Sequence, residues 1–150
     1  MKKQYRCFCA VLLCILCLTG CGNVHTSITY TFSVSTGDSV DIKFDTTGDY
    51  QITSDLPFEI SQDGTLLTSG SFISADGYQM YVDVVNADDD AEIIENSSTD
   101  TLEYIMWNYR NSEFNYAILI KNSGTGILLG NQTSEESARE VFHRMEISLH

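Results

Sequence analysis

After Cys21 the chain has no cysteine, between Phe44 and Tyr109 it has no lysine or arginine, and Pro57 is its single proline. The first absence removes disulfides, thiolate metal sites, thiol nucleophiles and redox pairs from everything downstream, so stability must come from a packed core. The second leaves a long stretch of acids with no local counter-charge. Past Cys21, five basic side chains stand against twenty-one acidic ones, a net of −16. Such a surface repels phosphate backbones and excludes nucleic acid as a partner. Catalytic signatures are missing as well. There is no G-x-S-x-G elbow and no H-E-x-x-H pair. Of three histidines, His25 precedes the first strand pattern, His150 is the last residue, and only His143 falls within a regular element. Gly124, Gly126 and Gly130 do not make a dinucleotide fingerprint, because Leu129 stands where a glycine is needed. In so acidic a chain, paired carboxylates carry no evidence for glycoside hydrolysis. No enzyme is expected.

The longest apolar run, CFCAVLLCILCL over residues 7–18, is twelve residues long. A permanent membrane helix needs about 20, whereas a signal-peptide core has about 7–15. Lys2, Lys3 and Arg6 precede the run, and Leu18-Thr19-Gly20-Cys21 ends it. The order basic, apolar, L-T-G-C resembles the lipobox of bacterial lipoproteins. That resemblance implies a signal peptide over 1–20, diacylation and cleavage at Cys21, and membrane attachment on the extracytoplasmic face, since two acyl chains anchor where one is marginal. Residues 21–27 then form a short tether, and 28–150 a single globular domain. The tether GNVHTS reaches at most about 20 Å at ~3.5 Å per residue, which holds the domain close to the membrane.

Within 28–150, apolar and polar residues alternate in ITYTFSVS and VDIKFD, the pattern of half-buried strands, and STGDS between them is a turn. DYQITS continues the meander, and Pro57 opens FEIS. Asp63-Gly64 leads into TLLTSGSFIS, and Asp76-Gly77 leads into YQMYVDVV, both read as hairpin turns. WNYRNSEFNY is nearly the same from either end. Folded about Asn111-Ser112 it matches Arg110 with Glu113, Tyr109 with Phe114, Asn108 with Asn115 and Trp107 with Tyr116, the pairs a hairpin would bring together. A helix over 101–109, capped by Asp100 and Glu103, is the competing reading. The pairing favours the hairpin. TSEESAREVFHRMEISL has a capping box at Thr133 and Glu136, an apolar stripe of Ala138, Val141, Phe142 and Met145, and i,i+4 pairs Glu135 to Arg139 and Glu140 to Arg144.

These elements predict an α+β domain, a twisted and mainly antiparallel sheet of about 8–9 strands with one C-terminal helix, about 134–147, packed on one face. A β-sandwich with a terminal helix is the alternative. The element order is similar in outline to the Mog1/PsbP-like fold, with no motif shared and no function implied.

Two binding sites are conceivable. Asn86, Asp88, Asp90 and Glu92 alternate oxygen ligands as a calcium loop would, although Ala91 stands where an EF-hand has its turn glycine and Ser97 where it has its glutamate. No other cofactor is implied. Trp107, Tyr109, Phe114 and Tyr116, all on one face of the predicted hairpin, could form an aromatic platform for a sugar or peptide. The expected role is that of a non-enzymatic, lipid-anchored cell-envelope protein, an interaction or accessory module meeting an envelope protein, a basic peptide or a cation. A small-ligand or carbohydrate-binding lipoprotein using the aromatic face is the second reading.

Overall fold

The computed structural model describes residues 25–150. The leader, Cys21 and most of the tether lie outside the described residues. Ten strands and two helices follow in chain order: β1 Ser27–Ser33, β2 Ser39–Asp45, β3 Tyr50–Ile52, β4 Phe58–Gln62, β5 Thr65–Ser74, α1 Ala75–Ala87, β6 Ala91–Ser98, β7 Leu102–Tyr109, β8 Glu113–Ile120, β9 Thr125–Gln132, α2 Glu135–His143 and β10 Met145–Leu149. The strands form a seven-stranded sheet, β3-β4-β5-β9-β8-β7-β6, and a three-stranded sheet, β1-β2-β10. Every ladder is antiparallel. The domain is α+β and dominated by sheet. The single sheet with one helix gives way to two sheets and two helices.

The main core lies between the two sheets. Phe32, Ile42 and Phe44 of the small sheet meet Phe58, Ile60, Tyr116 and Ile118 of the large one, all nearly or fully buried, and α2 adds Ala138 and Val141. On the opposite face of the large sheet, Ile105, Trp107 and Ala117 pack beneath Tyr78 and Val85 of α1. The sheet centre is thus buried on both sides, as the apolar runs of β7 and β8 require.

Three predicted elements are corrected. The segment after Asp76-Gly77 is helix α1, not a strand. YQMYVDVV satisfies both periods: Tyr78, Met80, Val82 and Val84 alternate, while Tyr78, Tyr81, Val82 and Val85 recur at helical spacing. The helical set meets the sheet, and Met80 and Val84 remain 58% and 56% exposed. Ser74 caps the helix by accepting a hydrogen bond from the Gly77 amide at 3.0 Å, which is worth about 1 kcal/mol. The second correction is at the C-terminus, where α2 stops at His143 and MEISL becomes β10, with Met145 opposite Phe44 and Ile147 opposite Ile42. Alternation in Met145 and Ile147 wins over helix continuation because β2 offers an open edge. The α2 cap is Ser134, which accepts from the Ser137 amide, one residue later than Thr133. The Glu135–Arg139 and Glu140–Arg144 pairs form as predicted, at 2.9 and 2.7 Å.

The third correction concerns the WNYRNSEFNY hairpin, which forms in a register shifted by one residue. Tyr109 faces Glu113, Asn108 faces Phe114, Trp107 faces Asn115 and Met106 faces Tyr116. Arg110 and Asn111 both take left-handed conformations (φ 51° and 54°), and the Ser112 amide donates to the Tyr109 carbonyl at 3.1 Å. Positive φ at both central residues gives the backbone twist that strands of a hairpin need. Because side chains alternate, a slip of one puts Phe114 and Tyr116 of β8 on the face opposite Trp107 and Tyr109 of β7.

Candidate interaction surface

The predicted platform is divided by that register. Trp107, 7% exposed, packs under α1 with Tyr81, ring centroids 6.4 Å apart. Tyr116, 1% exposed, lies on the other face and stacks on Phe142 of α2 at 4.6 Å. Tyr109 and Phe114 are half-buried, and the Arg110 guanidinium sits 5.1 Å above the Tyr109 ring. The four aromatics therefore present no common surface. Trp107 fluorescence is expected to be blue-shifted and insensitive to iodide or acrylamide. Emission near that of free tryptophan, fully quenchable, would contradict this packing.

The four oxygen-bearing residues of the acidic loop are likewise not gathered. Asn86 is at the end of α1 with its amide donating to the Val82 carbonyl at 2.8 Å. Asp88 accepts from the Asp90 amide at 2.9 Å, and Asp90 is held by Arg110 at 2.7 Å. Glu92 belongs to β6 and faces Asn108 across the ladder. Among the described residues no group of three or more histidine, cysteine or acidic side chains could hold a metal ion. No helix among them is long and apolar enough to cross a membrane.

The structure brings together a different set, the cations with the chain's own groups. Lys43 pairs with Glu146 at 2.9 Å, Arg110 with Asp90, and Arg139 with Glu95 and Glu135. Arg144 pairs with Glu140, donates to the Thr47 carbonyl at 2.8 Å, and lies 3.8 Å over the Tyr50 ring. Lys121 donates to Ser98 and to the Thr99 carbonyl. All five basic side chains of the described residues are thus engaged within the fold. The exposed pairs, Lys43–Glu146 and Arg110–Asp90, contribute little to stability. The larger consequence is that none of these described cations pairs with Asp76, Asp83 or Asp89 of α1 and its C-terminal flank. Asp76, Asp83 and Asp89 are exposed there, beside Met80 and Val84, which share one helical face at i,i+4 spacing. An apolar pair rimmed by acids can meet an apolar partner surface rimmed by bases.

Glu95, Tyr104 and Arg139 form a junction that the sequence did not reveal, joining β6, β7 and α2. The Tyr104 hydroxyl donates to Glu95 at 2.8 Å and Arg139 pairs with its other oxygen. The Arg139 hydrogen bond holds the Glu95 carboxyl below its ordinary range, against the opposing effect of burial. A carboxyl depressed on folding adds stability above its unfolded pKa and loses it as pH falls through the folded value. Glu95→Gln is expected to cost about 1 kcal/mol at neutral pH, allowing for solvent screening. The loss should shrink as pH falls from neutral to below the ordinary carboxylate range, where wild-type Glu95 also takes up its proton. Urea midpoints across that range test this, and a cost unchanged at low pH would oppose it. Burial beside Glu103 also raises the Tyr78 hydroxyl, to about 12.

Comparison of the chain with family models, with curated proteins and with solved structures gives no match.

Proposed function

We propose that this chain is a lipid-anchored protein of the extracytoplasmic membrane face that works by contact and not by chemistry, an interaction or accessory module whose acidic surface meets a basic partner. The observation that carries the contact reading is the charge arrangement. All five described cations are engaged by the fold itself, while Asp76, Asp83 and Asp89 stand exposed around Met80 and Val84. Charge complementarity of this kind raises association rates and selects partners of opposite sign. The anchoring part rests on Leu18-Thr19-Gly20-Cys21 and on the start of β1 at Ser27, which leaves only a few residues of slack between lipid and fold.

Anchoring is tested by growing cells that express the full chain with labelled palmitate. Label on wild type, and its loss together with release from the membrane fraction in Cys21→Ala, is the expected result. Unlabelled wild type, or a Cys21→Ala chain still labelled, contradicts it.

A further inference from the structure

Beyond the acidic surface, we infer that the free edge of β1 is a pairing surface for a second copy of this chain, which would join two three-stranded sheets into one of six strands. Four strands end the two sheets: β3, β6, β1 and β10. An edge strand is a template for pairing unless shortened, bulged or charged. β3 has three residues. β6 carries Glu92 and Glu95 and an irregular register between Ile93 and Glu95. β10 has five residues and includes Glu146. β1 is seven residues of SITYTFS, with no charge, proline or glycine, and a regular register along its whole ladder. It alone lacks every protective device.

The backbone of β1 is oriented for such pairing. The Val34 amide donates to the Asp38 carbonyl and the Thr46 amide to the Thr26 carbonyl, so these are hydrogen-bonded pairs of the β1–β2 ladder. Counting by twos, Ile28, Tyr30 and Phe32 exchange bonds with β2. Ser27, Thr29, Thr31 and Ser33 then aim N–H and C=O out of the open edge, where no described residue pairs with them.

The strand is also self-complementary. About Tyr30, SITYTFS reads almost the same in both directions, so a twofold axis there sets Ser27 against Ser33, Thr29 against Thr31 and Ile28 against Phe32 of the second copy. Every pair of outward-facing residues then matches an outward-facing pair, and the backbone bonds can all form. This is the symmetry that a closed, isologous dimer demands. Pairing would also cover Ile28, which is 38% exposed at the edge of the core. No charges are brought face to face. Asp41, Lys43 and Asp45 of β2 stand about 10 Å from the incoming strand, at two strand spacings. That is near or beyond the Debye length at physiological salt, about 8 Å. The remaining opposition is the net acidity of each copy, so association should strengthen as salt rises, opposite to the salt response of an acidic surface meeting a basic partner.

The experiment is a single-cysteine scan, residues 28 to 32, in the full-length chain in native membranes under mild oxidation. Wild type is the background, since its own cysteines all lie at or before position 21. Tyr30→Cys, which faces its own copy across a pair not joined by hydrogen bonds, is expected to give a reducible dimer several-fold above its neighbours. Adding Thr31→Pro should abolish it while the melting temperature holds, because that amide is not used within the fold. If the proline variant melts early, Thr31→Lys, which keeps the amide but adds like charges near the axis, should weaken the dimer instead. A flat scan, a dimer insensitive to both edge variants, or a cross-linked species that is not twice the chain mass overturns the inference, the last by showing a different protein on the edge.

Discussion

Gly70→Ala is expected to be among the most damaging conservative substitutions in the chain. Gly70 of β5 faces Phe58 of β4, and a Cβ built there would lie 2.0 Å from the tip of the Phe58 ring. The ring, fully buried, lies flat across the glycine and packs against Phe32 at 5.7 Å and Phe72 at 6.0 Å. Phe58 therefore has no free direction in which to yield. Overpacking of this kind typically costs about 1–3 kcal/mol, and the buried surroundings put this site at the upper end, about 3 kcal/mol. The melting temperature should fall by roughly 10 °C. Phe58→Leu alone should also destabilise, yet in the Gly70→Ala background it should recover part of the loss, because the smaller side chain makes room for the methyl. Additive losses in the double variant would contradict this contact.

Tyr116→Ala is the second large effect. Tyr116 is 1% exposed and stacks on Phe142 with an interplanar angle of 12°. It also meets Tyr104 at 6.1 Å, so its ring is the seat on which α2 rests. Truncating a buried aromatic costs about 3–5 kcal/mol, a large part of the ~5–15 kcal/mol that holds a domain together. Besides a lower urea midpoint, amides of α2 should exchange faster than those of β8 and β9, because the helix loses its platform before the sheet loses its ladders. Uniform acceleration across the domain would mean that α2 is held by other contacts.

Much of this architecture was legible because alternation is a strong signal where one face is wet. β1, β2 and β4 appear where Phe32, Val40, Ile42, Phe44, Phe58 and Ile60 alternate with polar residues, and the Glu135 to Arg139 spacing marked α2. Legibility failed where two periods coexist. YQMYVDVV supports strand and helix equally, and only the apolar face of β7, β8 and β9, distant in sequence, decides between them. MEISL failed for a related reason, since its partner β2 lies a hundred residues earlier. The aromatic hairpin shows how small an error matters. Its symmetry correctly indicated a hairpin, but the turn residue that sets register was misplaced by one, and that alone converts a shared aromatic surface into two separate cores. The Glu95–Tyr104–Arg139 junction left no sequence signal, because three strands or helices contribute one residue each.

The contact reading is tested most directly by placing a photo-reactive side chain at Gln79, an exposed position of α1 between Asp76 and Asp83, in the full-length chain and irradiating intact membranes. An adduct with another envelope protein whose contacting surface is basic is the expected result. Its yield should fall as salt rises and fall again when Asp76, Asp83 and Asp89 are changed together to asparagine, with the melting temperature unchanged. No adduct, or one indifferent to both salt and the loss of those charges, would contradict it.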